Sequence, residues 1–250
     1  MNHEEVAERN RIAWTADAYR AWVVRHGTPD RAAARVASDP RHVLRRLLPF
    51  VGDPDGAAVA NPLGSHGRVA TALALLGARV TVFDASESNA RYARELAAAA
   101  GVSLDYVVGD FQATAPERAG RFDAVVMELG IVHYFCALER FVLATRTLLG
   151  SGGRFVLTDF HPLAKKSFDL ESGAPILRGD YFATAPEEAD VPYGAFVEGD
   201  LPRCLIRRWN LGEIVTAFAS GGFRIEALVE HPSGAFARLP GTFTLTGTAE

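Results

Sequence analysis

The chain has 250 residues, of which 48% are hydrophobic and 22% charged, and its formal net charge is −4. This length suits one large α/β domain, and the composition is typical of a globular protein. The mild acidity, without a run of Lys or Arg, argues against a nucleic-acid partner. The polar N-terminus and the lack of an apolar stretch of about 20 residues predict a cytoplasmic protein without a membrane partner.

The first fifty residues predict a helical cap, because apolar residues recur at helical spacing. Ala13, Trp14, Ala18 and Trp22 belong to this pattern. A second helix is predicted near residue 30, and a third, short helix from 40 to 48 after an aspartate–proline start signal. A cluster of Gly, Asp and Pro at residues 52–56 ends the predicted cap.

From residue 57 onward, strand and helix patterns alternate. Strands are predicted at 57–60, 79–83, 104–108, 122–127 and 154–158, and helices at 67–76, 88–100 and 135–149. Such repeated units form a parallel sheet with helices on both faces. Residues 161–209 interrupt the alternation with many Pro, Gly and acidic residues and predict an insertion. The pattern ends with a helix at 211–219 and an antiparallel pair of strands at 223–229 and 242–245.

Residues suited to ligand binding follow the first three strands, and ligands of an open parallel sheet bind beyond the carboxyl ends of its strands. The first strand leads into Asn61-Pro-Leu-Gly64-Ser-His-Gly67, whose glycines allow a ligand to approach the backbone, although an ordinary tight turn is an alternative. Asp84 ends the second strand and can accept both hydroxyls of a ribose or cap the next helix. After the third strand, Asp110 can accept the exocyclic amine of adenine or serve a turn.

The fourth and fifth strands are followed by acids, histidines and aromatic residues. These are Glu128, His133 and Tyr134 after the fourth strand, and Asp159, Phe160 and His161 after the fifth. Together they are consistent with the wall of a binding site. A divalent metal on Glu128, Asp159 and His161 is an alternative that the unknown spacing of the two loops weakens, so we predict no metal site. The two cysteines, Cys136 and Cys204, stand alone and suggest no metal motif.

The order of these features resembles the class I S-adenosylmethionine (SAM)-dependent methyltransferases, over about residues 57–159 and 210–248. The resemblance rests on the glycine loop, the acids after the second and third strands, the FDAVV strand, the GGR turn and the antiparallel final pair. NAD-binding folds lack that pair, and the loop lacks G-x-G-x-x-G. The sequence MELG after the fourth strand differs from the Asn-Pro-Pro-Tyr-like box of methyltransferases that act on nucleic-acid amines.

The resemblance implies an α/β fold: a Rossmann-like, doubly wound sheet of seven strands in the order 3-2-1-4-5-7-6, mostly parallel with an antiparallel last strand. It implies a single domain over 1–250, with an N-terminal helical cap at 1–50 and a substrate lid at 161–209. SAM would be the cofactor and S-adenosylhomocysteine (SAH) its product. The implied cofactor contacts are Tyr19, Asn61, Gly64, Ser65, Gly67, Asp84, Ala85, Ser86, Asp110, Phe111, Glu128 and Leu129.

The loop departs from the family pattern at two kinds of position. Asn61 stands where the family has an acid, and Leu63 and Ser65 stand where glycines are usual. Asn61 can still accept a hydrogen bond from the amino group of the methionine moiety, but it carries no charge. A decayed loop in a non-catalytic binding protein is therefore one alternative, and SAM-assisted chemistry without methyl transfer, such as cyclisation, is another.

The implied reaction is methyl transfer to an O, N or C nucleophile of a small molecule by in-line displacement, in a bacterial subgroup acting as a monomer or homodimer. Proximity and orientation would supply most of the catalysis, with a base where the nucleophile must lose a proton. The candidate catalytic residues are His133, Glu128 and His161. The candidate substrate contacts are Trp14, Tyr134, Asp159, Phe160, Tyr181 and Arg207. Structural roles for the individual histidines and aromatic residues remain alternatives.

Overall fold

Five helices precede the first strand. The structure is a computed structural model that describes residues 3–169, 175–177 and 179–250. The helices are α1 (His3–Thr15), α2 (Ala18–His26), α3 (Pro29–Ser38), α4 (Pro40–Val43) and α5 (Leu48–Val51). The apolar pattern that predicted one leading helix is divided between α1 and α2, which are separated at residues 16–17. Asp39 caps α4 by accepting a hydrogen bond from the His42 N–H at 2.9 Å, as the aspartate–proline signal predicted.

Strands and helices then alternate along the chain. The strands are β1 (Ala58–Pro62), β2 (Arg79–Asp84), β3 (Asp105–Val108), β4 (Phe122–Glu128) and β5 (Leu149–Phe160). The helices between them are α6 (Arg68–Leu75), α7 (Glu87–Ala99), α8 (Phe111–Thr114) and α9 (Leu138–Leu148). Short 3₁₀ helices occupy Ala115–Arg118 and Val132–Tyr134. After the insertion come α11 (Leu211–Ser220), β10 (Phe223–Pro232) and β11 (Pro240–Ala249).

The described part of the insertion holds four short strands that the sequence did not predict. They are β6 (Phe168–Asp169), β7 (Ile176–Leu177), β8 (Glu187–Ala189) and β9 (Cys204–Ile206), and they follow the short helix α10 (Pro162–Lys166). The pairs β6–β7 and β8–β9 form two small antiparallel sheets of their own. A 3₁₀ helix at Pro192–Phe196 lies between β8 and β9.

The main sheet has seven strands in the order β3-β2-β1-β4-β5-β11-β10. Strands β1 to β5 pair in parallel, and β11 runs antiparallel to both of its neighbours, β5 and β10. The predicted fold class is confirmed. The strand numbers differ from the prediction only because the four short strands of the insertion fall between β5 and the final pair.

Apolar residues cover both faces of the sheet. One face packs against α8, α9 and α11 through Phe141, Phe155 and Phe218, which are fully buried. The other face packs against α6, α7 and the cap through Leu73, Val82 and Leu44. Because both faces are covered, ligands can reach the parallel strands only at their ends.

The insertion packs against the cap. Asn10 of α1 bonds both backbone groups of Leu205, donating to its carbonyl at 3.0 Å and accepting from its N–H at 2.8 Å. The Tyr193 hydroxyl donates to the Ala13 carbonyl at 2.5 Å. The buried Lys166 ammonium donates to the carbonyls of Ala183 and Arg208 at 2.7 and 2.8 Å, which connects later parts of the insertion to α10.

None of the described helices is long and apolar enough to cross a membrane.

Candidate active site

A cavity of about 1040 Å³ lies at the carboxyl ends of β1 to β4, beneath α1 and α2. The sheet contributes residues from the segments that follow each of these strands. Helix α1 contributes the residues along one of its faces. The predicted site residues that line the cavity are Trp14, Asn61, Gly64, Ser65, Asp84, Ala85, Asp110, Phe111, Glu128, Leu129, His133, Tyr134 and Phe160. Most of the predicted site therefore lies around one space.

The loop after β1 has a backbone that few side chains would permit. A Cβ on Gly64 would lie 2.4 Å from Asn61 Oδ1, so the loop can pass over Asn61 only with glycine there. Ser65 has a φ of +49°, a left-handed conformation that costs a non-glycine residue energy. Asn61 Oδ1 and Ser65 Oγ are buried without a hydrogen-bond partner among the described residues. Buried polar atoms of this kind are usually satisfied, so these two oxygens are suited to a bound ligand.

Asp84 is held at the end of β2 by three donors. Its Oδ1 accepts from the Ser86 N–H at 2.9 Å and from Asn89 Nδ2 at 3.1 Å, and its Oδ2 accepts from the Ser65 N–H at 3.0 Å. Burial raises the pKa of Asp84, and the three hydrogen bonds oppose that rise. A carboxylate has about four acceptor positions, so Oδ2 keeps capacity for a hydroxyl donor in the cavity.

Asp110 connects the end of β3 to the cap. It caps α8 by accepting from the Gln112 N–H at 3.3 Å, and its Oδ2 lies 2.8 Å from His3 Nε2 of α1. The neighbouring Phe111 is 3% exposed and packs edge-on against Phe83 with ring centroids 5.8 Å apart. Phe111 therefore belongs mainly to the core, although it also lines the cavity.

The last residue of β4, Glu128, forms an ion pair within the cavity. Its Oε2 lies 3.2 Å from the guanidinium of Arg68, the first residue of α6, and the Glu128 side chain is 12% exposed. Burial raises the pKa of Glu128, and Arg68, Arg46 and Arg45 oppose the rise. Arg68 lines the same cavity and is absent from the predicted site.

The loop after β4 is shaped by a buried carboxylate on the next strand. Asp159 is 1% exposed and accepts backbone N–H groups from Gly130, Ile131, Val132 and Phe160 at 2.7, 2.9, 3.0 and 2.7 Å. Asp159 does not line the cavity, contrary to its predicted role as a substrate contact, because its oxygens face this backbone. It acts instead by positioning the loop.

His133 and Tyr134 stand on the 3₁₀ helix that this loop begins. Burial lowers the pKa of His133 to about 4, although the nearby Asp159 charge opposes the shift, so the imidazole is neutral at neutral pH. The Tyr134 ring meets the Trp14 ring of α1 edge-on at 5.8 Å. Together with Phe160, which is 36% exposed, these rings give the cavity an aromatic wall.

Two predicted cofactor contacts have structural roles beside the cavity. Gly67 has a φ of +77°, and a Cβ on it would lie 2.6 Å from that of Ala93, so it permits α6 and α7 to pack closely. Ser86 is the N-cap of α7, and its hydroxyl donates to the Trp14 carbonyl at 2.8 Å. Ser86 therefore connects the cap to the strand end next to Asp84.

Tyr19, which was predicted to contact the cofactor, faces away from the cavity. Its hydroxyl donates to Glu95 at 2.5 Å, and the Arg91 guanidinium lies 4.3 Å from the centre of its ring. Trp22, on the same helix, lines the cavity instead and packs at a tilt against His66 with ring centroids 4.7 Å apart. The sequence signal for Trp22 is its place in the apolar pattern of the first helices, which does not distinguish a core residue from one that lines a cavity.

Three further predicted residues lie outside the cavity because other groups hold them. His161 Nε2 lies 2.8 Å from Glu230 Oε1 on β10. The Tyr181 hydroxyl accepts from the Leu211 N–H at 3.0 Å. Arg207 pairs with Glu213 at 2.9 Å and covers the Trp209 ring.

The described insertion contributes only Pro192 to the cavity lining. The described residues also contain no cluster of three or more His, Cys, Asp or Glu side chains suited to a metal ion.

Residues 63–157, less than half of the chain, match the family model described as a methyltransferase domain. The matched segment runs from the loop after β1 into β5. Two curated relatives of the chain are named ubiquinone biosynthesis O-methyltransferase. The protein from Xanthomonas axonopodis pv. citri (strain 306) is 31% identical over 123 residues, 48% of this chain and 51% of that protein. The protein from Methylocella silvestris is 31% identical over 160 residues, 61% of each chain.

The chain thus spans about half to three fifths of the length of these relatives. A solved S-adenosylmethionine-dependent methyltransferase from Mesorhizobium loti has a TM-score of 0.63 at 21% identity, over 83% of this chain and 96% of that one. At this level of identity the likeness shows the fold. The predicted resemblance to class I methyltransferases is confirmed.

Proposed function

We propose that the chain is a SAM-dependent methyltransferase that acts on a hydroxyl group of a small aromatic molecule. One observation carries the proposal: the carboxylates of Asp84 and Asp110, at the ends of adjacent strands, line the same cavity as the Gly64–Ser65 loop. The methyltransferase domain and the O-methyltransferase names of the relatives support it.

The residues present fit the cofactor. Asp84 Oδ2 can accept a ribose hydroxyl, and Asp110 can accept the exocyclic amine of adenine. The unpartnered oxygens of Asn61 and Ser65 offer acceptors where the loop approaches the cavity. When bound, SAM supplies an electrophilic methyl group on a sulfonium.

The aromatic wall is suited to hold a flat acceptor beside that methyl group. Trp14, Tyr134 and Phe160 can stack on an aromatic ring, and electron-rich ring faces also attract a sulfonium cation. Closing the cavity with α1 excludes water and orients the acceptor, which supplies much of the catalysis in a displacement of this kind.

His133 is the candidate base. A neutral imidazole can accept the hydroxyl proton of the acceptor. A hydroxyl oxygen that gains a methyl group becomes strongly acidic, so even a base of low pKa can take its proton once methyl transfer is under way. The pKa of about 4 keeps the base free at neutral pH. His133→Gln should therefore lower kcat while leaving the dissociation constant of SAH unchanged.

The proposed cofactor can be tested by calorimetric titration with SAM, SAH and NADH, using Asp84→Ala as a control. We expect micromolar binding of both sulfur ligands, loss of binding in the variant and no binding of NADH. Absence of binding at millimolar ligand would contradict the proposal and favour a decayed loop.

A turnover assay with phenolic acceptors tests the reaction. Methyl transfer must release one SAH per methylated product, whereas turnover without SAH would indicate SAM-assisted chemistry such as cyclisation.

A further inference from the structure

The Arg68–Glu128 ion pair lies where the sheet reverses its strand order. Strands β1 and β4 are neighbours, β2 and β3 continue on one side and β5 on the other, and this is the usual ligand position in such sheets. Glu128 ends β4, Arg68 begins α6 after the β1 loop, and both side chains line the cavity.

The loop after β1 supplies no charge at this point. Asn61 Nδ2 donates to the Val126 carbonyl of β4 at 2.7 Å, so the amide orientation is fixed and only the neutral Oδ1 remains free. The other two sheet acids in the cavity already have partners: Asp84 accepts three hydrogen bonds, and Asp110 contacts His3. Glu128 is the sheet carboxylate whose partner within the cavity is a single arginine.

The ligand to be recognised carries an α-amino acid group, which is a zwitterion. We propose that Glu128 binds its ammonium and Arg68 its carboxylate, so that the pair replaces the acid that position 61 lacks. This inference rests on the proposed SAM-binding function. A zwitterion bound to an ion pair gives four charges of alternating sign with no net charge, which avoids leaving any of them buried without a partner.

The environment of the pair agrees with this role. The Glu128 side chain is 12% exposed while that of Arg68 is 38% exposed, so the acid is fixed and the arginine has room to adjust. Burial raises the pKa of Glu128, which means that its charge is incompletely compensated before a ligand binds. A ligand ammonium would supply that compensation.

The test measures binding by calorimetry rather than activity, with three thioether ligands that differ in the head group. SAH has both charges, decarboxylated SAH lacks the carboxylate, and 5′-methylthioadenosine lacks the whole head group. For Glu128→Gln we expect weaker binding of SAH and decarboxylated SAH, by about 10- to 100-fold, and unchanged binding of 5′-methylthioadenosine. For Arg68→Gln we expect a similar loss for SAH alone.

The matched control is Glu87→Gln, because Glu87 pairs with Arg94 at 3.4 Å on the exposed start of α7. It should bind all three ligands like the wild type. Unchanged SAH binding in both site variants would overturn the inference, as would equal losses for SAH and 5′-methylthioadenosine. A drop in kcat for Glu128→Gln without a loss of SAH affinity would overturn it too and would assign Glu128 to catalysis. If the wild type bound none of the ligands, the proposed function itself would fail.

Discussion

Replacing Asp159 with Asn should destabilise the protein far more than a typical isosteric change. Asp159 Oδ1 accepts the N–H groups of Gly130 and Phe160, and Oδ2 accepts those of Ile131 and Val132. An asparagine amide has one oxygen and one NH₂ group. Whichever way it is oriented, its NH₂ group faces two backbone N–H donors.

The size of the effect follows from those two lost acceptors. A hydrogen bond to a charged group contributes roughly 1.5–3 kcal/mol, and a buried donor left unpaired costs a similar amount. Two such losses predict a decrease of about 3–6 kcal/mol in the free energy of unfolding. For a chain of this length, 1 kcal/mol shifts Tm by about 2–4 °C, so Tm should fall by roughly 6–24 °C.

Differential scanning calorimetry of the two proteins at pH 7 measures this difference. Asp105→Asn is the matched control, because Asp105 pairs with Arg118 at 3.0 Å and its side chain is 50% exposed. That exposed pair should contribute at most about 1 kcal/mol. A Tm for Asp159→Asn within about 2 °C of the wild type would refute the reasoning, since it would mean that the loop after β4 does not depend on this carboxylate.

Three further outcomes follow from the geometry. Gly67→Ala should lower the free energy of unfolding in urea by about 2–4 kcal/mol, because backbone strain at φ +77° adds to a clash with Ala93. Gly101 has a φ of +75° but open space around it, so Gly101→Ala should lower the free energy of unfolding by only about 1–2 kcal/mol. SAH affinity should weaken as pH falls through the raised pKa of Glu128, since protons compete with the ligand ammonium, and a Glu128→Gln titration that showed the same slope would contradict this. His3→Ala should tighten SAH binding about two- to fivefold by freeing Asp110 from its 2.8 Å contact, and unchanged affinity would show that α1 does not compete there.

The fold could be predicted because its signals are local and repeated. Short β-branched strands, alanine-rich helices and glycines between them determine a parallel sheet, and the handedness of the connections fixes where helices lie. The rule that ligands bind at strand ends then predicts that Asp84, Asp110, Glu128 and His133 share one site, and all four line the cavity.

Side-chain direction was the part that the sequence could not determine. Tyr19 and Trp22 are three residues apart on α2, and the break between α1 and α2 shifts which of them faces the cavity. Counting helical periodicity across residues 6–22 assumes one continuous helix. It therefore cannot show how the break at residues 16–17 changes the direction of the side chains on α2. In the same way, a carboxylate at a strand end can face the cavity or the neighbouring loop, and Asp159 does the latter because four N–H groups converge on it.

The charge at the reversal point shows why position-by-position comparison with a family pattern has limits. Asn61 breaks the pattern, and the sequence suggested a weakened loop. In the sheet, however, Asn61 bonds the Val126 carbonyl, so the end of β1 lies beside the end of β4, where Glu128 follows two residues later. A ligand responds to the charge in the cavity and not to the strand that carries it, so a carboxylate on β4 can do what the missing one on β1 would do. A neutral side chain at position 61 is then compatible with a buried carboxylate on Glu128. An acid at position 61 would place a second negative charge near Glu128 and would raise the cost of burying both.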